Sequence, residues 1–286
     1  MKVLFVTDFN SYTNPGGAQF SNRAIIEKGQ ELGFDITEHN WTSSKLQLLP
    51  RYDLVISSNF QAHAQEKGNH IFNYVVNHPL HVRYEHDSCH YLLEDARRTL
   101  FLSSKLNFFL SDFHLEFFQH LYGNIFKNNT VVYDPIDVDI FQKSDCKKIY
   151  DVMYCGYAHE HKGFKEFLNY AKINSDKKLA FLGWFTADTI NLKEDLDKLN
   201  NIESIEKVEP EEVYKYLQKT KAIFHKPIVR EPFCRMVAEA LLCGCELIGH
   251  KDKIGSYLEY TKVGEEEFRN KCRNASTLFW EKIKEL

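Results

Sequence analysis

Apolar residues fall along the chain in short blocks, separated by stretches in which they recur every three or four positions. The block "KVLFVTDF" predicts a buried first strand, and the stretch from about Ala18 to Leu32 predicts a helix closed by Gly33. "FDITEHN" alternates as an edge strand does, and "YDLVISSN" is a further apolar run. "HIFNYVVNH" and "LNFFLSD" continue the series, the second leading into a helix with Phe113, Phe117 and Leu121 on one face. "TVVYDPID" ends this half. A second series then reads strand "YDVMYCG", helix "KGFKEFLNYAK" and strands "KKLAFLG" and "IESIEKV". It continues with helix "PEEVYKYLQKT", carrying Pro210 in its first turn, strand "KAIFHKP", a short apolar helix and strand "CELIGH". The last segment, "GEEEFRNKCRNASTLFWEKIKEL", has the pattern of a charged amphipathic helix.

Strands alternating with helices imply parallel sheets covered on both faces, the doubly wound α/β class. Two such series, divided by the polar linker "FQKSDCKK" at 141–148, predict two domains, 1–143 and 144–286. The economical arrangement has them facing a cleft, with the ligand where the strand C-termini point.

Composition narrows the picture. A chain of 286 residues with a net charge of −4 lacks the basic excess that nucleic acid or an anionic membrane requires. No apolar run is long enough to span a bilayer, and Asp8 interrupts the only N-terminal run that could imitate a signal peptide. The seven cysteines show no C-x-x-C pair, which suits reduced thiols and a cytoplasmic protein, with peripheral placement at the inner membrane face left open.

The chemistry concentrates in "REPFCRMVAEALLCGC", residues 230–245. Pro232 is expected to open a helix whose first N–H groups, near Phe233, Cys234 and Arg235, favour a phosphate. Glu231 and Glu239 then stand at the two ends of the ligand, where carboxylates accept hydrogen bonds from sugar hydroxyls. The alternative is that Glu231 caps the helix and Glu239 pairs with a lysine.

This stretch resembles the signature of retaining glycosyltransferases of family 4, which have the GT-B fold, matching at Glu231, Phe233, Glu239, Ala240 and Gly244. "YCGYAHEHKGFKEFL" resembles the family's diphosphate-binding strand–loop–helix at Lys162 and Gly163, and "VVYDPIDVDIF" its first-domain closure at Asp137 and Phe141. "NPGGAQFSNRAI", with Gly16 and Gly17, resembles the loop beside donor phosphate and acceptor. The resemblance implies two Rossmann-like domains and transfer of a sugar, with retention, from a nucleoside-diphosphate sugar. The acceptor stays unidentified: a glycan, a lipid-linked sugar, a protein or a small molecule. It implies no essential metal or other cofactor. By the same resemblance Lys162 and the helix start bind the diphosphate, Glu239 the ribose and Glu231 the donor sugar near the reacting carbon. His86 in "YEHD" stands for the family's histidine beside that sugar.

The sequence departs from the family at four places. Tyr157 stands where the diphosphate-binding arginine is expected, Cys234 replaces a glycine, Asp134–Pro135 an Asn-Gly, and Cys245–Glu246 a small residue and proline. Arg235, or else Arg230, is the expected substitute for the missing cation; the alternative is a solvated arginine on a helix flank. Two other functions compete: a non-catalytic sugar-nucleotide-binding or scaffold protein, and a metal-dependent hydrolase built on His78, His81, His90 and Asp87.

Overall fold

The computed structural model describes residues 1–13, 16–41, 51–59, 69–88, 94–123, 125–126 and 128–286. The chain divides into two compact units, Met1–Pro135 with Asn270–Leu286, and Ile136–Arg269. The expected boundary lies at 143/144; by contact, the change comes after Pro135, and the last 17 residues (286 − 270 + 1) belong with the first unit.

The first unit is built on a parallel sheet of six strands: β1 (Lys2–Thr7), β2 (Asp35–Asn40), β3 (Leu54–Ser58), β4 (His81–Tyr84), β5 (Leu106–Phe109) and β6 (Asn129–Val131), in the order β2-β1-β3-β4-β5-β6. The continuous apolar blocks become the central strands. Val3, Phe5, Leu54 and Ile56 on one face and Val6 and Val55 on the other have no exposed surface, as both faces of a parallel sheet require. "FDITEHN" forms the edge strand β2, half-exposed along its length. Helix α1 (Gly17–Glu31) ends before Gly33, whose φ of +86° is left-handed backbone that glycine adopts without strain.

Two details differ from the sequence expectations. The run "HIFNYVV" is helix α2 (Asn69–Val76), not a strand, because Ile71 and Val75, four residues apart, are the positions that reach the core. Helix α3 (Glu94–Ser103) follows, and then α4 (Asp112–Tyr122). The buried face of α4 carries His114 and Phe118, whereas Phe113, Phe117 and Leu121 are half-buried beside it. Phe118 joins Phe101, Phe109 and Phe126 in an aromatic cluster.

The second unit has a five-stranded parallel sheet, order β11-β10-β7-β8-β9, from β7 (Tyr150–Tyr157), β8 (Leu179–Trp184), β9 (Ile202–Glu206), β10 (Thr220–His225) and β11 (Glu246–Gly249). Its helices are α5 (Phe164–Ile173), α6 (Leu192–Asp197), α7 (Val213–Leu217), α8 (Arg235–Leu242) and α9 (Gly255–Val263). Tyr154, Phe164, Phe167, Leu179 and Phe181 form its core between sheet and α5.

Helix α10 (Glu265–Lys284) starts in the second unit, where Phe268 stacks on Phe233, and ends in the first. There Trp280 is fully buried, stacks on Phe34 with ring centroids 4.6 Å apart and donates from Nε1 to the Ile25 carbonyl at 2.8 Å. A Cβ on Gly29 would stand 2.3 Å from the Trp280 ring, so only glycine lets α1 approach it. Trp280→Ala removes a large buried ring and is expected to cost about 3–5 kcal/mol in urea unfolding. Trp184→Ala, at a partly exposed indole, is expected to stay within about 0.5 kcal/mol.

Candidate functional site

Each parallel sheet has a point where the strand order reverses, and ligands of open α/β sheets bind beyond the strand C-termini there. In the second unit this point lies between β7 and β10. The chain leaving β7 forms a turn at Glu160–Lys162, closed by Gly163 at φ +83°. A Cβ on Gly163 would meet the Lys226 carbonyl oxygen at 2.5 Å, so the loops after β7 and β10 approach closely only with glycine here. Ile228 N–H donates to the His161 carbonyl across the same junction.

This places Lys162 Nζ 2.5 Å from Glu231 Oε1. Glu231 is held by its backbone, its N–H donating to Lys253 and its carbonyl accepting from Gly255. His225, at the end of β10, puts Nε2 3.5 Å from the same carboxylate oxygen and 3.4 Å from Cys234 Sγ. Burial opposes charge on all three ionised groups, but the partners prevail. Lys162 is pushed up chiefly by Glu231, and Glu231 falls to about 2 through Lys162 and then His225. His225 rises to about 9 through Cys234 and Glu231. Lys162 and His225 thus both face the Glu231 carboxylate as cations ahead of the α8 N-terminus.

The expected helix start is corrected: Pro232 and Phe233 lie outside α8, which begins at Arg235 behind Cys234. Cys234 has φ +69°, a left-handed conformation costing a residue with a Cβ about 1–2 kcal/mol, which explains why a glycine would be expected there. Glu231 does not cap the helix, since the cap residue is Cys234 with no side-chain hydrogen bond. Glu239 is 9 % exposed and accepts from Arg235 Nε at 2.7 Å, so the buried carboxylate faces an arginine one turn earlier, not a lysine. Phe233 has no exposed surface and its ring packs on Phe268, which leaves only its backbone for a ligand. Tyr157 lies beside the Trp184 ring, 6.0 Å between centroids, and Arg230 is exposed.

His225 is absent from the sequence reading. Its one signal is position, the last residue of an apolar strand block five residues before Arg230, which pattern alone does not separate from a core histidine. His225, Glu231 and Cys234 bring ligating atoms within 4.8 Å of one another. Glu231 Oε1 also carries the Lys162 ammonium.

In the first unit the order reverses between β1 and β3. Gly16 caps α1 in extended backbone at φ −163°, and Gly17 is its first residue. His86, just after β4, is buried with Nε2 3.0 Å from Asn22 Oδ1, which also accepts from Ser58. An acceptor oxygen there fixes the proton on Nε2. Burial drives the His86 pKa down to about 3, so the ring is neutral. Beneath it Arg83 donates to Glu85 at 2.5 Å and to the Asn59 carbonyl at 2.6 Å. Asn59, at φ +49°, accepts from His86 N–H and donates to Asp87. Asp8, following β1, is 6 % exposed, and its Oδ1 has no hydrogen-bond partner, which costs a buried acceptor about 1–3 kcal/mol.

The histidine-based metal reading is overturned for the described residues. His81 places its nitrogens on Ser57 and Ser103, and His78 on the Leu80 and Tyr52 carbonyls. Both precede or open β4, while Asp87 follows its other end; His90 lies outside the described residues.

The His225 shift has a direct consequence for stability. A histidine whose folded pKa exceeds its usual 6.5 contributes stability that is complete below pH 6.5 and lost as pH rises through about 9. Thermal melts of the wild type should fall across that window, and His225→Asn should lose that component of the fall.

Comparisons with known proteins accord with this geometry. Residues 137–286 match the family described as glycosyl transferases group 1. No curated protein matches the chain by sequence. Among solved structures, Anabaena Alr3699/HepE in complex with UDP-glucose is similar with a TM-score of 0.69 at 16 % identity, covering 97 % of this chain and 94 % of that one. The sucrose-phosphate synthase of Thermosynechococcus elongatus is similar with a TM-score of 0.67 at 10 % identity, over 99 % and 96 %. WaaG, a glycosyltransferase involved in lipopolysaccharide biosynthesis, gives 0.59 at 14 % identity, over 96 % and 90 %. At these identities the likeness establishes the fold, GT-B with two Rossmann-like parallel sheets, and no helix among the described residues is long and apolar enough to cross a membrane. The family match spans more than half of the chain, and on that ground the protein belongs to the glycosyl transferases group 1 and is a glycosyltransferase.

Proposed function

We propose that the protein transfers a sugar from a nucleoside-diphosphate sugar to an acceptor, with retention at the anomeric carbon as in family 4. The observation that carries this reading is the Lys162–Glu231–His225 group at the reversal point of the second sheet. Two cations and the N-terminus of α8 suit a diphosphate, whose negative charge grows as the glycosidic bond breaks. HepE, similar in fold, is described in complexes with UDP and with UDP-glucose.

In this reading Lys162 and the helix N–H groups hold the diphosphate. His225 supplies a second positive charge beside Lys162, which Tyr157 cannot, and Arg235 is released toward the diphosphate when Glu239 turns to the ribose. Glu239 accepts from the ribose, Glu231 from the donor sugar, and both exchange protein partners for ligand hydroxyls. Gly16 and Gly17 keep the start of α1 open to phosphate or acceptor. His86, neutral and with its Nε2 proton given to Asn22, retains Nδ1 as an acceptor toward the donor sugar.

Titration calorimetry with UDP, GDP and ADP, each against its nucleoside, tests the reading. Diphosphates should bind far more tightly than nucleosides, and Lys162→Ala should remove that difference by tenfold or more, a charged hydrogen bond being worth about 1.5–3 kcal/mol. Glu239→Ala should raise the donor KM more than tenfold in steady-state transfer assays. Equal affinity for nucleoside and diphosphate would refute the site, and tight donor binding without transfer or hydrolysis would favour the non-catalytic protein.

A further inference from the structure

Three side chains at the functional end of the second unit form a set that sugar transfer does not call on together. His225 ends β10, Glu231 follows in the loop and Cys234 stands before α8, all within that unit. Imidazole, carboxylate and thiolate are the three side-chain ligand types of zinc, and the set offers one of each. The spacing fits as well. With Zn–S of about 2.3 Å and Zn–N and Zn–O of about 2.0 Å, a tetrahedral ion has an S–N edge of about 3.5 Å and an N–O edge of about 3.3 Å. Cys234 Sγ lies 3.4 Å from His225 Nε2, and Glu231 Oε1 lies 3.5 Å from the same nitrogen. All three ligating atoms fall within 4.8 Å of one another, so a small turn of one side chain closes the triangle. Each residue is also anchored by its backbone. The His225 carbonyl accepts from His250 N–H, and both backbone groups of Glu231 are paired. The Cys234 carbonyl accepts from the Val237 and Ala238 N–H groups and from the Ser256 hydroxyl. Cys234 moreover keeps its sulfur in left-handed backbone that glycine would adopt without cost, an outlier that packing does not account for.

We propose that His225 Nε2, Cys234 Sγ and the Glu231 carboxylate bind one zinc ion, its fourth coordination position left to water or a further ligand. The ion takes the place of the thiol proton and of the proton on His225, and both pass to solvent. Lys162 does not bar it. A carboxylate offers about four lone-pair sites on its two oxygens, and carboxylates that ligate a metal are themselves hydrogen-bonded. Lys162 then stands as that outer partner of Glu231. His225 is buried, whereas Glu231 and Cys234 keep some exposed surface, which gives the ion a way in from solvent. The site shares His225 and Glu231 with the transfer reading but does not depend on it.

Zinc is titrated into the reduced, chelator-stripped full chain against a competing chromophoric chelator, and cobalt serves as the spectroscopic probe. The wild type should take one zinc ion with micromolar or tighter affinity. Cobalt should give a thiolate charge-transfer band and the intense visible bands of a four-coordinate ion. Cys234→Gly removes the sulfur and keeps the backbone, because glycine adopts φ +69° without strain. It should weaken zinc by at least the roughly 100-fold that loss of an outer partner can cost, and abolish the charge-transfer band. His225→Asn should weaken zinc as much, while Cys146→Ser, at an exposed thiol, should change neither affinity nor spectrum. Binding by the wild type only at millimolar zinc, or equal binding by wild type and Cys234→Gly, overturns the proposal. Magnesium bound as tightly as zinc overturns it too, since a thiolate does not favour so hard a cation. No sugar nucleotide enters the measurement, so failure of the zinc site and failure of the transfer reading are seen separately.

Discussion

The contact between Lys162 and Glu231 organises the second unit's functional end. A charge drawn partly out of water is costly without a partner, and the two loops each carry one, Lys162 half-buried and Glu231 more deeply so. The turn after β7 brings the cation and the segment after β10 brings the carboxylate, and the backbone of Glu231 is itself tied to residues 253–255. Gly163 makes the approach sterically possible, and the Ile228–His161 hydrogen bond closes it. His225 then finds a carboxylate and a sulfur within reach and keeps its proton.

The two units use the same topological position for their polar groups. Both place polar side chains beyond strand ends at a reversal of strand order, where backbone from several strands diverges and leaves room. In the second unit Lys162 and His225 face the Glu231 carboxylate. In the first, Arg83 and Arg97 face the buried Glu85.

The strand–helix alternation made the architecture readable, because buried parallel strands must be apolar on both faces. The motifs that tie residue type to spacing also pointed to Lys162, Gly163 and Glu231, which the fold brings to one junction. What stayed hidden depended on backbone geometry or on distant partners. The left-handed turn at Cys234 delays α8 past Pro232, and no periodicity reports a single φ angle. "HIFNYVV" is apolar enough to be strand or helix, and only the burial of Ile71 and Val75 decides it. Arg235 looked available for phosphate because its pairing with Glu239 is a matter of rotamer. The charge on His225 arises from residues six and nine positions away, folded back onto the strand end.

Helix α10 begins in one unit and finishes in the other, with Phe268 in one core and Trp280 in the other. The polypeptide therefore passes between the units twice, once near Pro135 and once inside a continuous helix. Severing the chain at the first crossing would not yield two independent pieces. The amino-terminal fragment would lack the indole that fills the notch over Gly29, and the remainder would carry that indole with nothing to receive it. The two units are joined as a single inheritance: neither can be exchanged for a counterpart from another member of the family unless the end of α10 is exchanged along with the segment it covers.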